Sequence, residues 1–229
     1  MSGRPEGLLL VDKPAGITSH DVVLLVRRIY GEKSIGHLGT LDPFATGLLV
    51  LLLGRSTRLA NFIVTEPKHY DATIRFGAET DTDDCTGTVV REAPVPSIAA
   101  INEAIPDLTG RIMQLPPVYS AKSVDGVRAY DAARTGELLD LKPVQVNVEA
   151  WTVGALRGSD LDVSIVCGTG TYIRSLARDL GRMTGSAAHL ASLRRTRSGP
   201  FDVRDAFSIE QLKADAPPLR TLSVVAGDG

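Results

Sequence analysis

One carboxylate stands nearly alone in the stretch GHLGTLDPFATG, residues 36–47: Asp42, followed directly by a proline. An aspartate in an apolar, glycine-rich loop has two uses. It accepts hydrogen bonds from its own turn, or it is held against a substrate as nucleophile or base. A residue before proline is kept out of helical backbone, so the Asp42 side chain has a defined direction. Gly36, Gly39 and Gly47 let another backbone or a ligand come close. His37, five residues upstream, adds a flat polar ring. On these residues alone both uses of Asp42 stay open.

Other chemistries are excluded by spacing. Gly168-Thr169-Gly170 opens like a dinucleotide loop, but Ile173 stands at the sixth position and no acidic residue follows at the required distance. Asp81-Thr82-Asp83-Asp84 opens like a calcium loop, but Cys85 and Thr86 replace the ligand and the glycine that such a loop needs. That acidic loop is expected to be a solvated turn. There is no Walker loop and no nucleophile elbow. His20, His37, His69 and His189 make no pair at metal spacing, and Cys85 and Cys167 make neither a zinc motif nor a disulfide framework. No metal and no cofactor are expected.

The chain has 229 residues, 43% hydrophobic and 23% charged, with a formal net charge of −2. That is an ordinary globular composition. The apolar run Leu48 to Leu53 is far too short to cross a bilayer, and MSGRPEGLLLVDK has no signal-peptide core. A cytoplasmic protein is expected. Charge is unevenly distributed: seven arginines and two aspartates lie between Tyr172 and Arg204. Such a segment is either a phosphate-binding face or a solvated helix surface.

The elements that must carry these residues are legible in outline. Gly7 to Val11 reads as a strand ending in the turn Lys13-Pro14-Ala15-Gly16. Thr18 or Ser19 caps a helix that Gly31 stops. The Asp42 motif follows as a loop, and Gly47 to Leu53 is a strand buried on both faces. Ser56 is expected to cap a helix to Ile63. Tyr70 to Phe76 alternates as a strand, and Gly77 to Gly87 reads as loop. Ser97 caps a helix to Ile105. Residues 114–137 lack an apolar period and look like an excursion from the core. Val144 to Val153 and Leu161 to Cys167 read as paired strands. Thr171 is expected to cap a helix closed by Gly181, and Ser208 caps a last short one. The pattern predicts an α+β fold with a mixed, largely antiparallel central sheet flanked by helices.

GHLGTLDPFATGLL closely resembles the catalytic loop of the TruB family of tRNA pseudouridine synthases. LLLVDKPAGITSHDVV, KHYDATIRFGAETDTDD, LPPVYSAKSVDGVRAYDAARTGE, CGTGTYIRSLARDLG and HLASLRRTRSGPF resemble further family blocks in the same order. The resemblance runs from about Gly7 to Phe207. It implies an isomerase, of the pseudouridine synthase fold, that turns a uridine in the tRNA T-loop into pseudouridine without a cofactor. It implies that Asp42 is the essential carboxylate, that Tyr70 stacks on the target base and assists proton removal, and that Arg174 pairs with the carboxylate. Tyr172 and Leu193 match positions lining the uridine pocket, and His37 the histidine that fills the space left by a flipped base. Arg194, Arg195 and Arg197 then read as phosphate contacts. One carboxylate suffices where no water must be activated, whereas glycosidases usually use two.

The resemblance further implies one catalytic domain over residues 1–229, acting as a monomer on the T-stem-loop, with 114–137 as an RNA-binding thumb. The C-terminal RNA-binding domain of PUA type that many members carry is not expected here. Two alternatives share the scaffold: an RNA-guided relative with the same G-H-x-G-T-L-D-P core, and a non-catalytic tRNA-folding protein. The thumb block disfavours the first. An intact Asp42, Tyr70 and Arg174 set disfavours the second.

Overall fold

The computed structural model describes residues 4–119, 123–124, 127–128 and 141–221. Most of the expected thumb lies outside them; the ladder of Ser123–Val124 with Val127–Arg128 is the part of its outer stretch that is described. Two compact units are present, one built from Met1–Glu66 and Arg194–Gly229, the other from Pro67–Leu193. The fold class is α+β, with helices on mixed but largely antiparallel strand pairings.

The first unit is built on two strongly apolar strands. Gly7–Lys13 pairs antiparallel with Thr46–Leu53, with Leu10 opposite Val50. Seven of the eight residues of Thr46–Leu53 are buried, as a strand covered on both faces requires. One face packs Leu9, Val11, Leu49, Leu51 and Leu53 against Val22, Val23 and Val26 of the helix Ser19–Tyr30 and against Ile209 and Leu212 of the helix Ile209–Ala214. The other face, Leu8, Leu10, Leu48, Val50 and Leu52, is covered by Leu38, Ala60, Ile63, Phe201 and Val203.

Helix ends in this unit follow local rules. Thr18 and Asp21 form a reciprocal capping box, and Gly31 ends the helix in the left-handed conformation. Ser208 and Gln211 repeat the box at the last helix. Residues Gly54–Phe62 instead form a 3-10 helix whose N-cap, Leu53, makes no side-chain bond, so the expected Ser56 cap is corrected. His37 also departs from expectation: Ile35–His37 is a short strand, with His37 opposite Leu51.

In the second unit Lys68–Phe76, Asp160–Cys167, Val144–Arg157 and Gly110–Gln114 pair antiparallel in that order. Burial along Lys68–Phe76 alternates strictly, as the sequence predicts. The expected loop from Gly77 contains a strand, Ala78–Thr80, paired with Val89–Glu92. The helix Ile173–Met183 runs through Gly181 and starts at Tyr172 without a side-chain cap, which corrects both the Thr171 cap and the Gly181 stop. Gly181 serves close packing: a Cβ there would sit 2.6 Å from the Ala188 backbone nitrogen.

Candidate active site

The Asp42 loop is tied down on both sides of the aspartate. Upstream, the Leu41 N–H donates to Ser19 Oγ (2.9 Å), and Ser19 Oγ donates to the Leu41 carbonyl (3.0 Å). Downstream, the Pro43 carbonyl accepts from the Gly16 N–H (2.8 Å) and from Lys13 Nζ (3.3 Å). Lys13 is fully buried and also donates to the carbonyls of Pro14 (2.9 Å) and Ile17 (2.8 Å). Burial pushes its pKa down to about 8, and the charge of Asp42 pulls the other way.

Arg195 completes the frame. Its chain segment runs parallel to Thr46–Leu53, with Arg195 beside Gly47. Its guanidinium donates to the carbonyls of Leu48 (2.8 Å), Gly39 (3.0 Å) and Thr40 (3.3 Å). With 1% of its surface exposed it presents no face to an RNA backbone. The expectation that Arg195 contacts phosphate is therefore corrected: it is a loop anchor. Arg194 and Arg197 are at the surface. Arg194 makes a two-point pair with Asp12 (2.7 and 3.0 Å), and Arg197 lies 4.0 Å from Asp202, whose carboxylate already holds Arg204. Burial, with Arg195 and His20 nearby, lowers the pKa of His37, so its ring is neutral at pH 7. A neutral ring suits stacking better than phosphate binding.

The second unit holds Tyr70, Tyr172, Arg174 and Leu193. Tyr70 is buried on the strand Lys68–Phe76, opposite Ile165. Tyr172 precedes the helix Ile173–Met183, and Arg174 sits in its first turn at 4% exposure. Arg174 donates to the carbonyls of Thr82 (3.0 Å) and Tyr119 (2.9 Å) and lies 3.8 Å from Asp84. Leu193 is buried.

The acidic loop is thus no solvated turn. Glu79, Asp83 and Asp84 are all buried against the arginines of that helix. Arg178 donates to Asp83 (2.9 Å), and Arg182 and Arg91 both pair with Glu79. Asp84 also orders its own loop, accepting from Thr82 Oγ1 (2.8 Å) and from the Thr86 N–H (2.9 Å) and Oγ1 (2.6 Å). Burial pushes Asp83 up to about 6 against the pull of Arg178 and Arg174. Most of the helix's positive charge is accordingly answered inside the fold. The reading of Tyr172 to Arg204 as one basic outer face does not hold.

The sequence-predicted residues divide by unit: His37, Asp42, Arg194, Arg195 and Arg197 in the first, Tyr70, Tyr172, Arg174 and Leu193 in the second. A TruB family pseudouridylate synthase N-terminal domain model matches residues 27–173, and a tRNA pseudouridylate synthase B C-terminal domain model matches residues 174–221. The chain belongs to the TruB family. It is 46% identical to the tRNA pseudouridine synthase B of Thermobifida fusca, over 96% of this chain and 79% of that one. It is 51% identical to the protein of the same name from Leifsonia xyli, over 92% and 72%. Among solved structures it is similar to a Cbf5-Nop10-Gar1 complex, with a TM-score of 0.69 and 29% identity over 90% of this chain. It is also similar to an H/ACA RNP bound to a substrate RNA containing 2'-deoxyuridine, with a TM-score of 0.66 and 28% identity. The chain spans about half the length of those two structural relatives, 53% and 52%.

For this TruB family chain, sequence reasoning missed the residues that hold the candidate groups in place. Lys13 was legible only as part of a turn, Ser19 only as a possible cap, and Asp83 and Asp84 only as a failed calcium loop. A lysine following the apolar run Leu8 to Val11 is a local signal that could have pointed to Lys13. Among the described residues no cluster of three or more His, Cys, Asp or Glu could hold a metal, and no helix is long and apolar enough to cross a membrane.

Proposed function

We propose that this chain isomerises a uridine in the T-loop of tRNA to pseudouridine, with Asp42 as the essential carboxylate. The observation that carries the reading is the Asp42 loop: the family's catalytic motif, with the residues on both sides of the aspartate bonded to buried groups. Family membership along the chain supports the reaction class.

The chemistry conserves atoms. The bond from the uracil nitrogen to the ribose breaks, the base turns, and a carbon of the ring bonds to the ribose. The proton lost from that carbon is matched by one gained on nitrogen, so no co-reactant is consumed. Asp42 acts on the sugar as nucleophile or base, and Arg174 pairs with its carboxylate. Tyr70 stacks on the base and helps remove the proton; Tyr172 and Leu193 line its pocket. His37 occupies the space that the flipped base leaves in the RNA. Arg194 and Arg197 contact phosphate. The same reading has the chain work as a monomer in the cytoplasm, where its substrate is.

The test is tritium release from a T-stem-loop RNA labelled at the ring carbon, with purified chain and no guide RNA. Asp42→Asn should slow release by at least ~10³-fold, the scale of losing a nucleophile or base. Wild-type release by Asp42→Asn would overturn the mechanism. An inactive wild-type chain that a guide RNA revives would establish the guided alternative instead.

A further inference from the structure

The chain from Gln114 to Tyr119 is bonded to the start of the helix Ile173–Met183 at several points. Gln114 closes the strand Gly110–Gln114 and is fully buried. Its carboxamide oxygen accepts from the Tyr172 N–H at 2.8 Å, and its nitrogen donates to the Tyr172 carbonyl at 3.1 Å. One side chain thus gives Tyr172 the pair of bonds that a neighbouring strand would give. The Leu115 carbonyl then accepts from Ser175 Oγ (2.9 Å) and from Arg178 Nη2 (2.8 Å). The Tyr119 carbonyl accepts from Arg174 Nη2 (2.9 Å).

Packing alone does not call for this arrangement. A fully buried carboxamide is costly unless both of its ends are paired, and a leucine or methionine fills similar space at no such cost. The helix also lacks the usual anchor, because Tyr172 at its N-cap makes no side-chain capping bond. Gln114 instead bonds the N-cap residue itself, from 58 residues away. What it fixes is a pair of candidate groups: Tyr172 directly, and Arg174 two residues on.

We propose that Gln114 is a positioning residue for pseudouridine formation, acting through the Tyr172 backbone to hold Arg174 in its working orientation. The proposal rests on the function proposed above. Leu115 and Tyr119 extend the hold through their carbonyls. Gln114 opens the stretch expected to be the thumb, but it ends a strand and is fully buried, so its substitution loosens the helix start while presenting no changed surface to the RNA.

The test uses Gln114→Met and Gln114→Glu, with single-turnover tritium release at saturating T-stem-loop RNA, RNA affinity, and melting temperature. Gln114→Met should slow release by ~10- to 100-fold, the scale of a misplaced catalytic group, while changing RNA affinity by less than ~3-fold. Gln114→Glu carries its own internal check. Its carboxylate accepts from the Tyr172 N–H but cannot donate to the Tyr172 carbonyl; its protonated form does both. With the Arg174 and Arg178 guanidiniums and the helix start close by, that carboxylate is ionised at pH 8, so Gln114→Glu should slow release by ~10-fold or more. On an Arg174→Lys background, Gln114→Met should cost no more than ~2-fold further, since the two act through one group.

Wild-type release by Gln114→Met overturns the proposal, as does wild-type release by Gln114→Glu at pH 8 or a full additional loss on Arg174→Lys. If Gln114→Met fails to fold, release by Gln114→Glu at pH 8 decides alone. A wild-type chain that releases no tritium overturns the function and this proposal together, a result distinct from an active wild type with indifferent variants.

Discussion

Replacing Arg195 by methionine separates two roles that its sequence context cannot tell apart. The side chain keeps much of its length but loses every donor. Two of the three bonds removed are short, to Leu48 (2.8 Å) and Gly39 (3.0 Å); the third, to Thr40, is 3.3 Å, and Thr40 is exposed. Water can replace the Thr40 bond. A hydrogen bond to a charged donor contributes about 1.5–3 kcal/mol, so the two short ones together contribute about 3–6 kcal/mol. Relief from burying a guanidinium offsets about 1–2 kcal/mol. The net loss is about 2–4 kcal/mol, and for a chain of this size that lowers the melting temperature by ~5–15 °C. The assay is thermal unfolding by circular dichroism, paired with RNA binding from 50 to 200 mM salt. Arg195→Met should melt early, lose turnover as the Asp42 loop loosens, and keep the wild-type salt slope. Arg197→Met should do the reverse, holding its melting temperature within ~2 °C and losing about one unit of slope. An Arg195→Met chain with wild-type melting and a reduced slope would refute the loop-anchor reasoning and restore the phosphate contact.

Two further outcomes follow from the same frame. Gly47 has φ +101°, and a Cβ there would collide with the Arg195 carbonyl and lie 2.9 Å from its nitrogen, whereas Gly16, at φ +86°, has open space around it. Urea unfolding should therefore show Gly47→Ala losing at least ~3 kcal/mol and Gly16→Ala only ~1 kcal/mol; equal losses would mean that backbone strain alone matters. Asp83, raised to about 6, takes up a proton in the folded state before the unfolded chain does, so its contribution is present at low pH and is lost as pH rises through about 6. Measured against Asp83→Asn, which leaves a pH-independent offset at Arg178, wild type should lose up to about 3 kcal/mol of relative stability between pH 4 and 7. A flat difference over that range contradicts the buried placement of Asp83.

Legibility in the sequence tracked the distance over which each feature is determined. The strand over Tyr70 to Phe76, the cap at Thr18 or Ser19 and the cap at Ser208 were readable because each rests on residues within one or two turns; the reciprocal partners Asp21 and Gln211 came only with the structure. Gly181 was misread because a glycine near a helix end and a glycine under a crossing backbone look alike until the neighbour, Ala188, is in place. The acidic run Asp81 to Asp84 was misread because charge density predicts exposure only when no counter-charge is supplied from elsewhere.

Neighbouring residues alone carry the family motifs, the order of most elements, and the setting of Asp42 before a proline among glycines. Those are local facts, written in adjacent residues and in periods of two and about four. Which polar groups meet is set by the folded chain. Gln114 finds Tyr172 across 58 residues, Arg178 finds Asp83 across 95, and Arg195 finds the Leu48 carbonyl across 147. A buried polar side chain is stable only with a partner, and periodicity tells which face is buried but not what stands opposite. For that reason Asp42 was visible at once, while Lys13, Ser19 and Arg195, which hold its loop, became visible only in the fold.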